Sequence, residues 1–334
     1  MPGSQTPKPL TSFDQIRPQW QELLGRSAVN NLYITPAWQE LWWGLFQDGR
    51  ALSGFYLTDD SGDVTAIAPL SRAGDDYSLV GNSDTFDYND FVVAAGAEAA
   101  FYPTLLDAIG DSGGRRLELY SIGEDSPTLA LLPELARERG YLVEVAEEDV
   151  APRISLADTW DEYLSGLTKK DRHELRRKLR RLDGHGNWRW YCVSDPDEVA
   201  ERTDTFFYLM RLSDQAKAAF LTDEREDFFR RMMTATAAEG LLRLFFMEMD
   251  DQPVASSLCF DYDNARMLYN SGHNPEYRYY SVGLLLHSLC LRDALERGYR
   301  HFDFLRGNES YKYRLGGSDH HLYRISLERS GDGR

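Results

Sequence analysis

The segment Phe302–Gly317 holds the residues of this chain that are best suited to chemistry. A short apolar strand carries one carboxylate, Asp303, and the loop that follows presents Tyr311 and Lys312. Just upstream, the segment Ser281–Leu284 opens a helix. The first turn of a helix offers unpaired N–H groups and the positive end of a dipole to an anion. A helix start, a carboxylate and an ammonium together predict the transfer of a group carried on a phosphorylated donor.

The first turn of this helix is the predicted donor site. Arg278 lies just before it, and a guanidinium pairs well with phosphate. The residues that we assign to donor binding in this turn are Arg278, Ser281, Val282, Gly283 and Leu284. The alternative is an ordinary helix start that Ser281 caps through its hydroxyl.

A basic segment, Lys169–Arg181, is the second predicted anion site. It holds eight Lys and Arg against two acids, a local charge of +6 in a chain whose net charge is −17. Leu175 and Leu179 recur at helical spacing, which predicts a helix with one core face and one basic face. Arg172 and Arg176 are one turn apart and are predicted to share a phosphate of the donor. The alternative is a basic face that only water covers.

The composition is that of a folded protein with room for two domains. The chain has 334 residues, of which 42% are hydrophobic and 13% aromatic. No apolar run reaches the roughly 20 residues of a membrane span. Residues 1–12 lack the apolar core of a secretory signal and are predicted to form a flexible lead. The net negative charge disfavours a general binder of DNA or of anionic membranes.

The three cysteines indicate a reducing compartment. Cys192, Cys259 and Cys290 are odd in number and lie in apolar contexts. They predict free core thiols in a cytoplasmic protein rather than a disulfide framework or a zinc site. We therefore expect no metal.

A faint duplication predicts two similar units. The hairpin that begins at Phe55 recurs at Phe245, 190 residues later, and Val64 matches Val254 at the same offset. Each hairpin is followed by another strand, a helix, a glycine and a strand. This order is typical of an α/β (α+β) fold with mixed sheets. The predicted units span residues 13–150 and 151–330.

The same segments carry a resemblance to a known family. A helix, a glycine and then hydrophobic-Asp-Phe-x-x-Gly-x-x-x-Tyr-Lys, which stands at residues 302–312, resembles the C-terminal signature of the CelD-like acyltransferases. These belong to the GNAT superfamily and are related to the FemAB peptidyltransferases. The resemblance covers roughly residues 15–328. It implies two tandem GNAT-like units, of which the first is degenerate.

The resemblance also implies an activity. We expect acetyl-CoA or another acyl-CoA as co-substrate, with no permanently bound cofactor. The acceptor is expected to be an amine or hydroxyl of a sugar or a cell-envelope precursor. Two alternatives stay open: a Fem-like transferase that takes its group from aminoacyl-tRNA, and a non-catalytic nucleotide- or carbohydrate-binding protein. DNA is not an expected partner, and the oligomeric state is not predicted.

Three residues are predicted to be catalytic. In Fem-like enzymes a lysine after an aromatic residue is thought to stabilise negative charge near the transferred group, and Lys312 matches it. Asp303, or a water that it holds, is predicted to take the proton, with a backbone or arginine partner as its structural alternative. His273, on the strand before the donor-site helix, is a candidate general base.

The remaining candidates are assigned to the acceptor. An acidic and aromatic stretch in the first half, similar to an Asp-Tyr-x-Asp element of the relatives, could bind a polyhydroxy or amine group; an Asp-rich turn is the alternative. The predicted substrate-binding residues are Asp87, Tyr88, Asp90, Lys217, Tyr269, Arg306, Glu309 and Tyr311.

Overall fold

The computed structural model describes residues 6–329. Contacts divide the chain into two compact units: the chain up to Val150 together with the residues from His320 onward, and Ala151–Asp319. We predicted a second unit that extends to residue 330. The last strand instead belongs to the sheet of the first unit, so the chain returns to that unit at its end.

The helices are amphipathic or buried segments, and several begin at a residue whose side chain caps them. Their bounds are α1 Arg17–Leu24, α2 Pro36–Phe46, α3 Glu98–Asp111, α4 Pro127–Glu138, α5 Trp160–Gly166, α6 Lys169–Asp183, α7 Pro196–Ser213, α8 Gln215–Phe220, α9 Asp223–Ala238, α10 Val282–Glu296 and α11 Ser310–Arg314. Short 3₁₀ helices span Phe13–Ile16, Leu32–Ile34 and Pro275–Tyr280. A capping box formed by Thr159 and Glu162 begins α5. The side chain of Thr168 caps the basic helix α6.

The bounds of the strands are β1 Lys8–Leu10, β2 Ala51–Leu52, β3 Gly54–Thr58, β4 Val64–Ala68, β5 Leu70–Ala73, β6 Asp76–Leu79, β7 Val92–Val93, β8 Arg116–Gly123, β9 Tyr141–Val150, β10 Arg153–Ser155, β11 Trp188–Val193, β12 Leu242–Met249, β13 Gln252–Tyr262, β14 Ala265–His273, β15 His301–Asp303 and β16 His321–Arg329. Strand β8 alternates in burial along most of its length, whereas β12 and β13 are buried almost throughout.

The first unit has two sheets within the described residues, in the orders β1-β3-β4-β7 and β2-β5-β6-β8-β16-β9. Strand β1 pairs with β3, with Leu10 opposite Gly54. This part of the predicted flexible lead is therefore ordered, because its backbone completes a sheet edge. Residues 1–5 of that lead lie outside the described residues.

A proline explains why a strand of the first unit is divided between two sheets, whereas its counterpart in the second unit is continuous. Strands β4 and β5 flank Pro69 and lie in different sheets. In the second unit the corresponding strand, β13, runs unbroken for 11 residues. Proline has no N–H to donate to a sheet ladder, so it ends one pairing and allows the next to begin. Both hairpins keep a bulge at the duplicated offset, after Leu57 and after Met247.

The second unit is built on one sheet of order β10-β15-β14-β13-β12-β11. Its pairs are antiparallel except for β14 with β15, which helix α10 joins as a crossover. Side chains of α10 such as Leu286 and Leu291 share a core with Phe245 and Met247 of β12. Cys259 and Cys290 are buried and Cys192 partly so; all three are free thiols. Between residues 6 and 329, no helix combines the length and the apolar character needed to cross a bilayer.

Candidate functional site

Strands β14 and β15 separate at the centre of the second unit. They pair only between Ala265–Met267 and His301–Asp303, although β14 continues to His273. On its other side β14 stays paired with β13 up to His273. A bulge at Tyr269 interrupts that ladder. In the described part of the chain, the last six residues of β14 therefore have one edge that pairs with no strand.

The start of α10 is not capped by a side chain. Ser281 adopts a left-handed conformation, with φ 57° and ψ 40°, and makes no capping hydrogen bond through its hydroxyl. The first helical bond runs from the N–H of Leu285 to the carbonyl of Ser281. The N–H groups of Val282, Gly283 and Leu284 therefore stand at the open end of the helix. The alternative, an ordinary helix start that Ser281 caps through its hydroxyl, is not what the structure has, because that hydroxyl makes no capping hydrogen bond.

His273 lies against this helix start. A Cβ placed on Gly283 would lie 3.3 Å from Nδ1 of His273. Partial burial, and then the positive charge of Lys217, lower the pKa of His273 below its ordinary value of 6.5. The imidazole is therefore neutral near pH 7 and able to accept a proton.

Lys217 reaches the same strand from α8. Its ammonium donates to the backbone carbonyl of Ser271 at 2.6 Å and lies 3.4 Å from the Ser271 hydroxyl. Burial lowers the pKa of Lys217 to about 8, against the opposing effects of Glu309 and Asp214. The structure thus places one predicted acceptor residue beside the predicted base.

His287 completes the polar interior of this region, and the sequence did not single it out for function. It is buried on α10, with Nδ1 3.0 Å from the hydroxyl of Ser257 and its ring 5.0 Å from that of Tyr311. Burial lowers the pKa of His287 to about 3, so it stays neutral. Burial also raises the pKa of Tyr311. The available signal was a histidine within an otherwise apolar helix face.

The ammonium of Lys312 binds backbone carbonyls of the loop that follows β15. Its ammonium donates to the carbonyls of Leu305, Arg306 and Gly307 at 2.9, 2.6 and 2.9 Å and pairs with Glu309 at 2.9 Å. An ammonium has three protons, and these contacts use them. The structure therefore assigns Lys312 to holding the loop, which corrects the expectation that its charge faces the transferred group. Arg306 and Glu309 belong to the same loop.

Asp303 supports the loop from its other end. Its carboxylate accepts the N–H of Leu305 at 2.7 Å and is almost fully buried. Leu305 has a φ of 59°, in the left-handed region that favours glycine, and such strained positions cluster at functional sites. The backbone partner predicted as the structural alternative is present. Proton transfer by Asp303 stays a prediction.

The basic helix turns a different face to the site than we expected. Arg172 donates to the carbonyl of Ser165 at 3.0 Å, near the end of α5, and Arg176 is exposed. One terminal nitrogen of Arg172 is thus engaged by carbonyls at the end of α5, and the sharing of a phosphate by Arg172 and Arg176 stays a prediction. A cavity of 210 Å³ borders the opposite side of α6; its lining residues are Lys170, Asp171, Glu174, Leu175, Lys178, Leu284, Arg314 and Leu315. Leu284 connects this cavity to the start of α10, whereas Arg278 is exposed just before that helix.

Tyr269 is held in an aromatic cluster. Its ring lies 5.6 Å from that of Phe229 and 5.4 Å from that of Phe260. Tyr269 occupies the bulge in β14, and its ring contacts hold the strand in this shape.

The predicted acceptor residues of the first half lie in the first unit. The hydroxyl of Tyr33 donates to Asp87 at 2.8 Å, and the ring of Tyr88 lies 5.9 Å from that of His320. Both Asp87 and Tyr88 are partly exposed. They stay candidates for acceptor binding.

Asp90 is a structural residue, which corrects its assignment to the acceptor. Its buried carboxylate accepts the hydroxyls of Ser126 and Thr128 and the N–H of Phe91. Ser126 is the cap of α4, so Asp90 fixes the start of that helix. Burial raises the pKa of Asp90 to about 6. Because the carboxylate is surrounded by its own unit, it is not available to a ligand.

Comparison with known proteins supports this architecture. Residues 169–313 match the family model described as an acetyltransferase (GNAT) domain. The structure of FemX is similar with a TM-score of 0.68 and 13% identity, covering 92% of this chain and 95% of that one. No curated protein matches the sequence significantly.

Two further solved structures are similar over nearly their whole length. A tandem GNAT protein from the clavulanic acid biosynthesis pathway has a TM-score of 0.53 and 13% identity, covering 98% of this chain and 99% of that one. The C-terminal domain of a putative lysylphosphatidylglycerol synthetase from Agrobacterium fabrum has a TM-score of 0.57 and 12% identity, covering 96% and 93%. The predicted α/β fold of two GNAT-like units is confirmed. Residues 169–313 match the model of a GNAT acetyltransferase domain, in a chain whose fold is similar to those of FemX and of a tandem GNAT protein.

Proposed function

We propose that the protein transfers an acyl group from acyl-CoA to an amine or hydroxyl, as its resemblance to CelD-like enzymes implies. The observation that carries the proposal is the uncapped first turn of α10 beside a neutral His273, at the end of a strand that has separated from β15. The turn supplies N–H donors for an anion, and the separated strands leave a backbone edge for an extended ligand.

The donor is proposed to lie along this edge. Its diphosphate would meet the N–H groups of Val282, Gly283 and Leu284, with Arg278 as a further contact. The cavity beside Leu284 would take the nucleotide end, because Lys170, Lys178 and Arg314 supply positive charge there. This assignment replaces Arg172 and Arg176 with residues on the facing side of α6.

The chemistry is a direct attack on the thioester. The acceptor nitrogen or oxygen bonds to the carbonyl carbon, the carbon–sulfur bond breaks, and the sulfur leaves as a thiolate that takes up a proton. His273 would accept the proton of the attacking group, since its imidazole is neutral at pH 7. Lys312 and Asp303 would act as positioning residues that hold the loop after β15 in its strained shape.

The acceptor is proposed to be a small amine or alcohol, with a sugar or a cell-envelope precursor as the expected class. Tyr269, Tyr311 and Lys217 stay candidates for contact with it in the second unit. Asp87 and Tyr88 are the candidates from the first unit.

A second candidate function uses aminoacyl-tRNA as the donor. The specific observation is the exposed basic stripe of α6, which comprises Lys169, Arg176 and Arg180. Regularly spaced cations suit the phosphates of a nucleic acid. The charge of the remaining chain opposes this, so acyl-CoA is our first choice.

Titration calorimetry with CoA, acetyl-CoA and a tRNA mixture separates the two candidates. We expect CoA to bind and the variant Gly283→Asp to weaken binding, because it adds negative charge at the open helix end. Gly44→Asp is the matched control, since a side chain at this exposed glycine of α2 meets nothing within 4 Å. Binding of tRNA but not CoA would favour the second candidate. Unchanged CoA affinity in Gly283→Asp would remove the donor from α10.

A further inference from the structure

The ammonium of Lys217 has spare hydrogen-bonding capacity in a partly buried position. Its two contacts are both with Ser271, one to the carbonyl at 2.6 Å and a weaker one to the hydroxyl at 3.4 Å. An ammonium has three donors. Within residues 6–329, at least one proton of Lys217 therefore points to no protein acceptor.

No carboxylate pairs with this charge among the described residues. The charge of Asp214 raises the pKa of Lys217 from the start of α8, but the Asp214 side chain accepts the N–H of Ala216 at 2.6 Å. The charge of Glu309 also raises the pKa of Lys217, but Glu309 lies in the loop after β15 and pairs with Lys312 at 2.9 Å. The nearest carboxylates are thus both engaged elsewhere.

The other titratable neighbours do not compensate the charge either. Lys312 adds positive charge from α11. His273 on β14 and His287 on α10 have lowered pKa values and are neutral near pH 7. A cation that is removed from water without a counter-ion is costly, and proteins keep such a group where a ligand supplies the missing charge.

We propose that Lys217 binds a carboxylate of the acceptor, so that the acceptor is an amino acid or a similar amino- or hydroxy-carboxylate. The inference rests on the proposed acyl transfer and names the class of its acceptor. Only one ammonium is available here, because Lys312 is used by its loop. A single ammonium suits a singly charged carboxylate better than a phosphate.

The position of Lys217 fits the acceptor rather than the donor. Lys217 contacts Ser271, and His273 lies two residues further along β14. The side chains of Ser271 and His273 therefore stand on the same face of the strand. Two residues of a strand span about 7 Å. His273 in turn contacts the helix start proposed for the donor. A carboxylate held at Lys217 would therefore place a neighbouring amine close to His273.

Paired acceptors test the proposal at saturating acetyl-CoA. Amino acids are compared with their carboxamides and with the amines that lack the carboxylate, and phosphoethanolamine represents a phosphate ligand. Wild type should prefer the carboxylates by about 10- to 100-fold in kcat/KM, the range expected when a hydrogen bond to a charged group is lost. The preference should appear mainly in KM. It should disappear in Lys217→Met and return in part in Lys217→Arg.

Proton uptake gives a second measurement that needs no turnover. Burial lowers the pKa of Lys217 to about 8, so near this pH the binding of a carboxylate should draw protons from the buffer. Calorimetry of glycine, alanine and glutamate in two buffers of different ionisation enthalpy, on protein saturated with CoA, should show this uptake in wild type and not in Lys217→Met. The variant also removes a buried charge and is expected to fold.

Several outcomes would overturn the proposal: equal use of the paired acceptors, preference for phosphoethanolamine, binding without proton uptake, or no amino-acid binding by wild type. Failure of the proposed acyl transfer appears separately, as the absence of CoA binding by wild type. Lys217→Met should leave CoA affinity as in wild type, since it does not touch the start of α10.

Discussion

The imidazole of His273 faces Gly283 so closely that a Cβ on Gly283 would lie 3.3 Å from its Nδ1. The last residue of β14 and the first turn of α10 therefore constrain each other. The absence of a side chain at Gly283 leaves room for the imidazole beside the first turn of α10. This contact links the proposed donor site to the proposed base.

A methyl group at Gly283 should make the protein more stable and less active. Alanine is favoured over glycine in a helix by roughly 0.5–1 kcal/mol. Its Cβ would nevertheless displace the imidazole by a few tenths of an ångström. We expect Gly283→Ala to keep or raise the melting temperature and to lower kcat by about tenfold, a part of the roughly 100- to 10,000-fold that positioned acid–base catalysis contributes. Gly44→Ala should change stability alone. Full activity in Gly283→Ala would show that the position of His273 does not matter.

The pH dependence of kcat/KM should report on His273. A general base works in its neutral form, so the rate rises through its pKa and is level above it. Burial and Lys217 lower the pKa of His273, so the acidic limb should lie below pH 6.5. His273→Gln should lose this limb together with most of the activity. Lys217→Met removes a nearby positive charge and should move the limb to higher pH. An unmoved limb would show that the charge of Lys217 does not affect the pKa of His273.

Replacing Lys312 should lower activity because it destabilises the loop after β15. Lys312→Met leaves the carbonyls of Leu305, Arg306 and Gly307 without their donor. We expect the free energy of unfolding to fall by about 2 kcal/mol or more, because buried acceptors would lose charged hydrogen bonds. Chemical denaturation measures this. Turnover should fall in parallel, and Lys312→Arg should recover part of both. A large loss of turnover at wild-type stability would instead restore the predicted charge-stabilising role.

The two faces of α6 should differ in their effect on donor binding. Lys170→Gln with Lys178→Gln removes two cations from the cavity beside Leu284. We expect CoA affinity to fall, and to fall most at low salt, because salt already screens these charges. Arg176→Gln with Arg180→Gln removes the same charge from the exposed face and is the matched control. Equal effects would show that only net charge matters.

The helix start and the strand before it were accessible to sequence reasoning because local signals determine them. A glycine after an apolar helix and the alternation along β14 depend on neighbours a few residues away. The same holds for α6, whose leucine spacing indicated its core face. The spacing did not reveal which cations meet the donor cavity, because that depends on how α6 is rotated against α10.

The side chains of Lys312 and Asp90 show the limit of motif reasoning. Each matched a motif, and each turned inward to satisfy backbone or hydroxyl groups of its own unit. The direction of a long side chain depends on which unpaired polar groups lie nearby in space. Those groups come from segments that the motif does not include.

The amino-acid sequence by itself determined the basic helix α6, the duplicated hairpins and the helix start that we assign to the donor. These features arise from periodicity, caps and turns within short stretches of chain. The tertiary structure decided that β16 pairs with β8 and β9 in the first unit, and that Lys217, His273 and His287 lie close together. Both are contacts between residues far apart in sequence, and their geometry depends on how whole elements pack.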